Sequence, residues 1–369
     1  MRAPQRQAKN PRICLKFPLR GSAKRYAGRG PVNTCGLDPA NNQSAGYVTK
    51  GERDRLACRS CRLRAVRLLM AGAIGMGVEA ALLLTLQAIF SGILVGGVYG
   101  ILSVGLSLAF GVMRIVNFAH GELVMYGMFA GVVASKSFGI DPLLILPLSF
   151  LLTALVGMVQ YRVVFRHFVG HATLNQLLAA IGCALVLQMI AQLIFGADAR
   201  TAQSVFTGQY TVLGPFFLSQ AQIVAFVIAV AATLAVEVLL RMSTWGKAVR
   251  AVADDLEAAE IVGVNSSRIN IAAFALSAGL AGLAGTVLVT YFPTSPSVGF
   301  QLMPIITIAT TIGGLGSIGG TFLGGICCGI IQQMTAMLWN SALQDVPLYI
   351  LLLLFIAFRP TGFFGSRAE

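Results

Sequence analysis

From residue 84 onward the chain alternates long apolar runs with short polar breaks. The runs cover about 84–112, 118–135, 142–161, 173–195, 221–240, 269–291, 302–314, 320–338 and 347–358. Several approach or exceed the roughly 20 residues with which a helix crosses a bilayer core. This pattern predicts an all-α, polytopic transmembrane helical protein with about eight or nine spans. The pieces at 302–314 and 347–358 are short; they tilt, borrow flanking residues or cross only part of the bilayer. A further apolar interval, 68–83, carries Glu79 and either extends the first span or forms a short extra helix.

One interval between the greasy runs is different. Gly246 to Arg268 reads GKAVRAVADDLEAAEIVGVNSSR. Lys247, Arg250 and Arg268, with Arg241 just ahead, face Asp254, Asp255, Glu257 and Glu260 in the sequence. Each of these charges costs kilocalories in lipid, so the stretch sits in water and faces something. Asp254 and Asp255 suit a helix N-terminus, where acids complement the dipole. Gly263 suits a helix end, since it accepts positive φ. Ser266 or Ser267 can cap the next span. Residues 242–268 therefore read as a loop holding a short helix, a Gly turn and the start of a membrane helix. Ala258 and Ala259 are small enough to let a partner surface approach, and the charges can fix its register. A solvated helix that touches only its own subunit fits the same spacing.

Composition agrees with the membrane class. The chain is 56% hydrophobic and 11% charged, whereas an ordinary globular domain carries roughly 25% charged residues. The net charge of +13 comes entirely from residues 1–67, which hold sixteen Lys and Arg against Asp38, Glu52 and Asp54. Residues 1–69 thus form a basic extension, too polar and aperiodic to bury a core, ahead of a transmembrane domain over 76–369. Three readings of it compete: a disordered tail that touches anionic lipid or nucleic acid, a small metal-bound module, and an upstream start codon. The last is favoured, because Met70 and Met76 would make natural starts. Cys58 and Cys61 could be half of a zinc site, but Cys14 and Cys35 are single. No metal or other cofactor is expected. Cys183, Cys327 and Cys328 lie in apolar runs, where cysteine packs as a small residue.

Positive charge orients the body. With 241–268 in the cytoplasm, Arg114, Arg162, Arg166, Arg241, Lys247, Arg250, Arg268, Arg359 and Arg367 fall inside. Only Lys136 and Arg200 fall outside. The interval 196–220 is then the largest external loop, polar and nearly uncharged.

Three patches inside the apolar runs could carry mechanism. His120 and Glu122, just after Asn117, are costly at membrane depth and mark an interior, gating or partner contact. At headgroup level the same pair would be cheap. Gly313 to Gly325 has seven glycines in thirteen residues, including Gly313, Gly314 and Gly316, and cannot be a stable continuous helix alone. Broken helices of this kind form transport paths, while small residues also allow close helix packing; packing is the favoured reading. Thr307, Thr310 and Thr311 precede it and could line a polar path. Each half of the body holds one interrupted segment, which hints at an inverted repeat. Glu237 and Arg241 have helix-pairing spacing and read as structural.

Absences narrow the function. The chain has no G-x-x-x-x-G-K-[ST] string to cradle ATP, no H-E-x-x-H and no G-x-S-x-G. Catalytic residues are not expected, and any ATP hydrolysis belongs to a partner.

The string Glu257-Ala258-Ala259 with Gly263 resembles the coupling loop of ABC importer permeases, without its usual Ile-x-Leu-Pro tail. Ile115-Val116-Asn117-Phe118-Ala119-His120-Gly121-Glu122 and Gly313-Gly314-Leu315-Gly316-Ser317-Ile318-Gly319-Gly320-Thr321 resemble one branch of them. Arg359-Pro360-Thr361-Gly362 fits the same pattern. Together they resemble the H-type permease subunit of branched-chain amino acid ABC importers. The resemblance covers about 86–366. It implies a bacterial inner-membrane subunit that works with cytoplasmic ABC ATPases, a second permease and a periplasmic substrate-binding protein. The implied solutes are branched-chain or other small amino acids, with urea and short amides as alternatives. A stand-alone secondary transporter would need membrane carboxylates; Glu122 is the good candidate, since Glu79 and Glu237 lie near edges. A non-transporting scaffold is the third reading.

Overall fold

The computed structural model of the chain describes residues 78–358, apart from 171 and 215, together with 362–363. The expectations for 1–69, Cys58, Cys61, Met70 and Arg359 to Thr361 lie outside the described residues.

Helix α1, Val78–Met113, is the longest, and α2, His120–Phe138, follows it. Next come α3, Leu146–Val163, and α4, Thr173–Phe195. A polar loop ends in the antiparallel hairpin β1, Tyr210–Leu213, and β2, Phe216–Ser219. Then follow α5, Gln220–Met242, α6, Thr244–Asp254, and α7, Leu256–Ile261. The chain re-enters the bundle as α8, Ser266–Leu288, and finishes with α9, Val298–Gly313, α10, Ile318–Leu338, and α11, Val346–Phe358. All nine apolar runs are helical. Among the described residues, seven segments are long and apolar enough to cross a membrane. The eight or nine spans expected from the sequence correspond to these seven and to two further apolar helices. The two apolar runs outside that set are α2, which carries His120, Glu122 and Lys136, and α9, only 16 residues long.

Small residues set the packing. Gly92, Gly96 and Gly100 recur at i, i+4 on α1 and press against Gly325, Ile326, Gly329 and Ile330 of α10. A Cβ on Gly96 would stand 2.6 Å from the Ile326 Cα. Backbones this close gain dispersion contact that bulkier helices cannot reach in lipid. Helix α8 sits in the middle, with α1, α2 and α3 around it. Its hydroxyls tie the layers together: Ser277 donates to the Gly105 carbonyl at 2.6 Å and Thr286 to that of Gly127 at 2.9 Å. In contrast, α4 and α11 keep broad apolar faces exposed, as a surface that meets lipid or another chain does.

Candidate functional site

The arm between α5 and α8 is built by caps. The Ser243 hydroxyl accepts from the Gly246 N–H at 2.9 Å and starts α6. Val249 and Val252 of α6 are buried, and the Arg250 guanidinium donates to the Leu240 carbonyl, so this helix folds back against the bundle. Asp255 caps α7, accepting from Glu257 N–H at 2.9 Å and Ala258 N–H at 3.0 Å. Asp254 has a different place from the one expected: it is the last residue of α6. Gly263 ends the unit at φ +92°, as expected, its N–H donating to the Glu260 carbonyl. Asn265, not Ser266 or Ser267, caps α8, accepting from Arg268 N–H at 3.0 Å. Ser266 instead donates to the Glu260 carboxylate. Glu237 and Arg241 pair at 2.6 Å within α5, as their spacing implied.

What the arm shows to water is apolar as well as charged. Glu257, Ala258, Glu260 and Gly263 are exposed. Ala259 is not: it is 5% exposed and packs inward, so a partner can approach closely at Ala258 alone of the two. Sequence reasoning missed the strongest feature. Ile261 is 86% exposed and Val262 83%, side by side at the Gly263 turn. Two aliphatic side chains on a wet, charged arm have no internal contact that would hold them out of water. Their signal was their position beside a Gly turn, hidden by the apolar character of the whole chain.

The second region lies inside the bundle. After Met113 the chain turns at Arg114, the one non-glycine residue with positive φ among the described residues, at 54°. Residues 115–119 then run back non-helically, with Ile115, Asn117 and Ala119 buried. The Asn117 carboxamide oxygen accepts from Ala119 N–H at 3.0 Å, which shapes the entry to α2. His120 Nε2 donates to the Leu102 carbonyl at 3.0 Å. Leu102 lies eleven residues before Met113, a rise of about 17 Å along α1. So α2 begins deep in the bundle and runs to the side away from the arm.

Helix α9 does the reverse. It starts at Val298, with Gly299 beside Gly121, and descends past Ser103, whose hydroxyl donates to the Ile306 carbonyl at 3.2 Å. It ends near Ser107, whose Oγ accepts from Gly316 N–H at 3.0 Å. The N-termini of α2 and α9 thus abut. A Cβ on Gly121 would lie 2.2 Å from the Gly299 carbonyl oxygen, and one on Gly299 would lie 2.7 Å from the Glu122 carboxyl carbon. Glu122 therefore places a carboxyl group at the positive ends of two helices. His120 Nδ1 and Glu122 Oε2 are buried without a hydrogen-bond partner. This is a joint between the N-termini of two helices.

The remaining candidates are packing groups. Thr310 and Thr311 donate back to the carbonyls of Ile306 and Thr307, at 2.7 and 2.8 Å. Thr310 is fully buried against α1, with its hydroxyl on the Ile306 carbonyl. Gly313 and Gly314 are buried and Gly316 is exposed. Gly314 and Gly316 take positive φ and break the chain between α9 and α10. Gly313 packs on Gly320 and Thr321. The break is confined to 314–317; the later glycines are helical, with Gly325 and Gly329 against α1 and Gly324 against Ala309 of α9.

The family described as branched-chain amino acid transport system / permease component matches residues 88–356. The chain belongs to this family. The LivH high-affinity branched-chain amino acid transport system permease of Escherichia coli K12 is 30% identical over 293 residues, 76% of this chain and 95% of its own length. BraD of Pseudomonas aeruginosa, a permease of the same description, has the same identity and coverage. A probable LivH permease of Methanocaldococcus jannaschii is 26% identical over 249 residues, 66% of this chain and 78% of its own. The permease is thus a multi-pass membrane transport component rather than an enzyme, and the stretch from Asn117 to Glu122 lies within the matched region.

Proposed function

We propose that this permease is the solute-path subunit of an ATP-driven importer and that residues 242–268 couple it to separate ABC ATPase subunits. The observation that carries the coupling is the exposed pair Ile261 and Val262 at the Gly263 turn. A short capped helix ending in two bare aliphatic side chains suits a groove on a water-soluble partner, read as helix-in-groove docking. Glu257, Ala258 and Gly263 belong to the same contact; Ala259 supports it from inside. ATP-driven movement of the ATPases then acts on α6 and α7, and through α6 on α1 and α8, which it touches. The joint at Asn117, His120 and Glu122 is the place where the N-termini of two helices can tilt against each other, so we assign it to gating.

The names of the relatives support branched-chain amino acids as solutes, with other small amino acids next and urea or short amides as the competing class. A second permease, a periplasmic binding protein that sets most of the specificity, and a bacterial inner membrane complete the assembly. Residues 76–369 form the permease domain and 1–69 an extension outside it. Gly263→Asp tests the coupling. An aspartate must adopt φ +92° there, which costs roughly 1–3 kcal/mol, and it puts a charge into the docking turn. Uptake of labelled leucine should vanish while membrane insertion stays normal. Normal uptake by this variant would remove the coupling assignment.

A further inference from the structure

Helix α4 is loosely held. Its ties to the rest of the chain include the Tyr126 hydroxyl, donating to the Leu187 carbonyl at 3.0 Å, the stacked rings of Phe195 and Phe129, Gln160 Nε2 at 3.3 Å from Cys183 Sγ, and Gln176 Nε2, donating to the Phe168 carbonyl at 3.1 Å. Between α3 and α4 lies a groove of about 380 Å³. Its walls include Leu155, Val159 and Val163 from α3 and Cys183 and Val186 from α4. At roughly 30 Å³ each, the share of one water in the liquid, it has room for about a dozen methylene-sized groups. Apart from Gln160, the wall has no polar side chain to hold water or a polar solute. An apolar cleft this size in a membrane protein is filled by something apolar.

The charge at its end says what. The groove follows α3 from Leu155 to Val164, toward the side that carries the arm. One turn past Val159 is Arg162, and one turn past Val163 is Arg166; both are exposed. Neither has a carboxylate partner among the described residues, where the ion pair formed is Glu237 with Arg241. An apolar slot that opens beside two unpaired guanidinium groups matches one molecule: a lipid with an acyl chain and an anionic head. Guanidinium binds phosphate oxygens in a fork geometry that suits such a head.

We infer that the α3–α4 groove holds an acyl chain of an anionic phospholipid of the cytoplasmic leaflet, with its phosphate on Arg162 and Arg166, and that this lipid seats α4 against the bundle. The inference rests on the membrane orientation proposed above, not on the solute or the ATPase. The test uses the full chain purified in detergent, with phosphatidylglycerol and phosphatidylcholine of identical acyl chains added in turn. Phosphatidylglycerol should raise the melting temperature more than phosphatidylcholine and should co-purify with the protein. Arg162→Gln with Arg166→Gln should lower phosphatidylglycerol affinity by roughly thirtyfold, about fivefold for each arginine, and leave the response to phosphatidylcholine unchanged. Val159→Trp, which fills the groove, should reduce the retained lipid while keeping the protein folded. Equal effects of the two lipids on the unaltered chain would overturn the assignment. So would an unchanged lipid preference in the double variant, or a disulfide from Val186→Cys to a second protein subunit, which would mean that a helix occupies the groove. None of these readouts depends on uptake, so they separate this inference from the transport reading.

Discussion

The docking reading makes a quantitative demand on Ile261 and Val262. Cutting both to alanine removes three carbons at a position 86% exposed and two at a position 83% exposed. At about 0.8 kcal/mol for each buried CH₂, full burial on the partner makes the losses about 2 and about 1.3 kcal/mol. Together they weaken ATPase docking by up to roughly 300-fold. The permease itself should not notice, because neither side chain packs on its own subunit; surface changes of this kind stay within about 0.5 kcal/mol. Titrating labelled ATPase against the permease in lipid nanodiscs, with a melting curve on the same sample, reads both quantities. Affinity should fall sharply at an unchanged melting temperature. An affinity within threefold of the unaltered permease would refute it, and a collapsed melting temperature would show that the pair is structural.

Two other changes address the scaffold. Gly96→Leu should destabilise the bundle by several kcal/mol, since even a Cβ there lies 2.6 Å from the Ile326 Cα; Gly182→Ala, with open space around it, should be neutral or stabilising, as melting curves in detergent will show. Deleting residues 1–69 should leave uptake unchanged; loss of membrane insertion on deletion would show that the extension belongs to the working protein.

Much of this was legible in the sequence. Apolar runs have one physical reading at membrane length, so all nine helices were visible, along with the wet arm between α5 and α8. Gly263 was readable because few residues tolerate φ +92°. Depth was not readable. Residues 115–119 are as apolar as the spans around them, and only the bond from His120 to the Leu102 carbonyl shows that α2 starts inside the bundle. The face on which a residue falls was also hidden. Ala258 and Ala259 are chemically alike, yet one is exposed and the other buried, because helical rotation turns neighbours about 100° apart. The hairpin at 210–219 escaped for another reason: two four-residue strands leave too short an alternation to detect in a polar loop. The i, i+4 run of Gly92, Gly96 and Gly100 was in plain sight, masked by the denser glycines from Gly313 onward.

The central claim is that this chain moves solute only when a separate ATPase drives it. The direct measurement is uptake of labelled leucine into proteoliposomes holding the permease, its partner permease and a binding protein, with and without the ATPase subunits. The account predicts accumulation with the ATPase and ATP and none when either is left out. Leucine movement through the permease in the absence of any ATPase would contradict it.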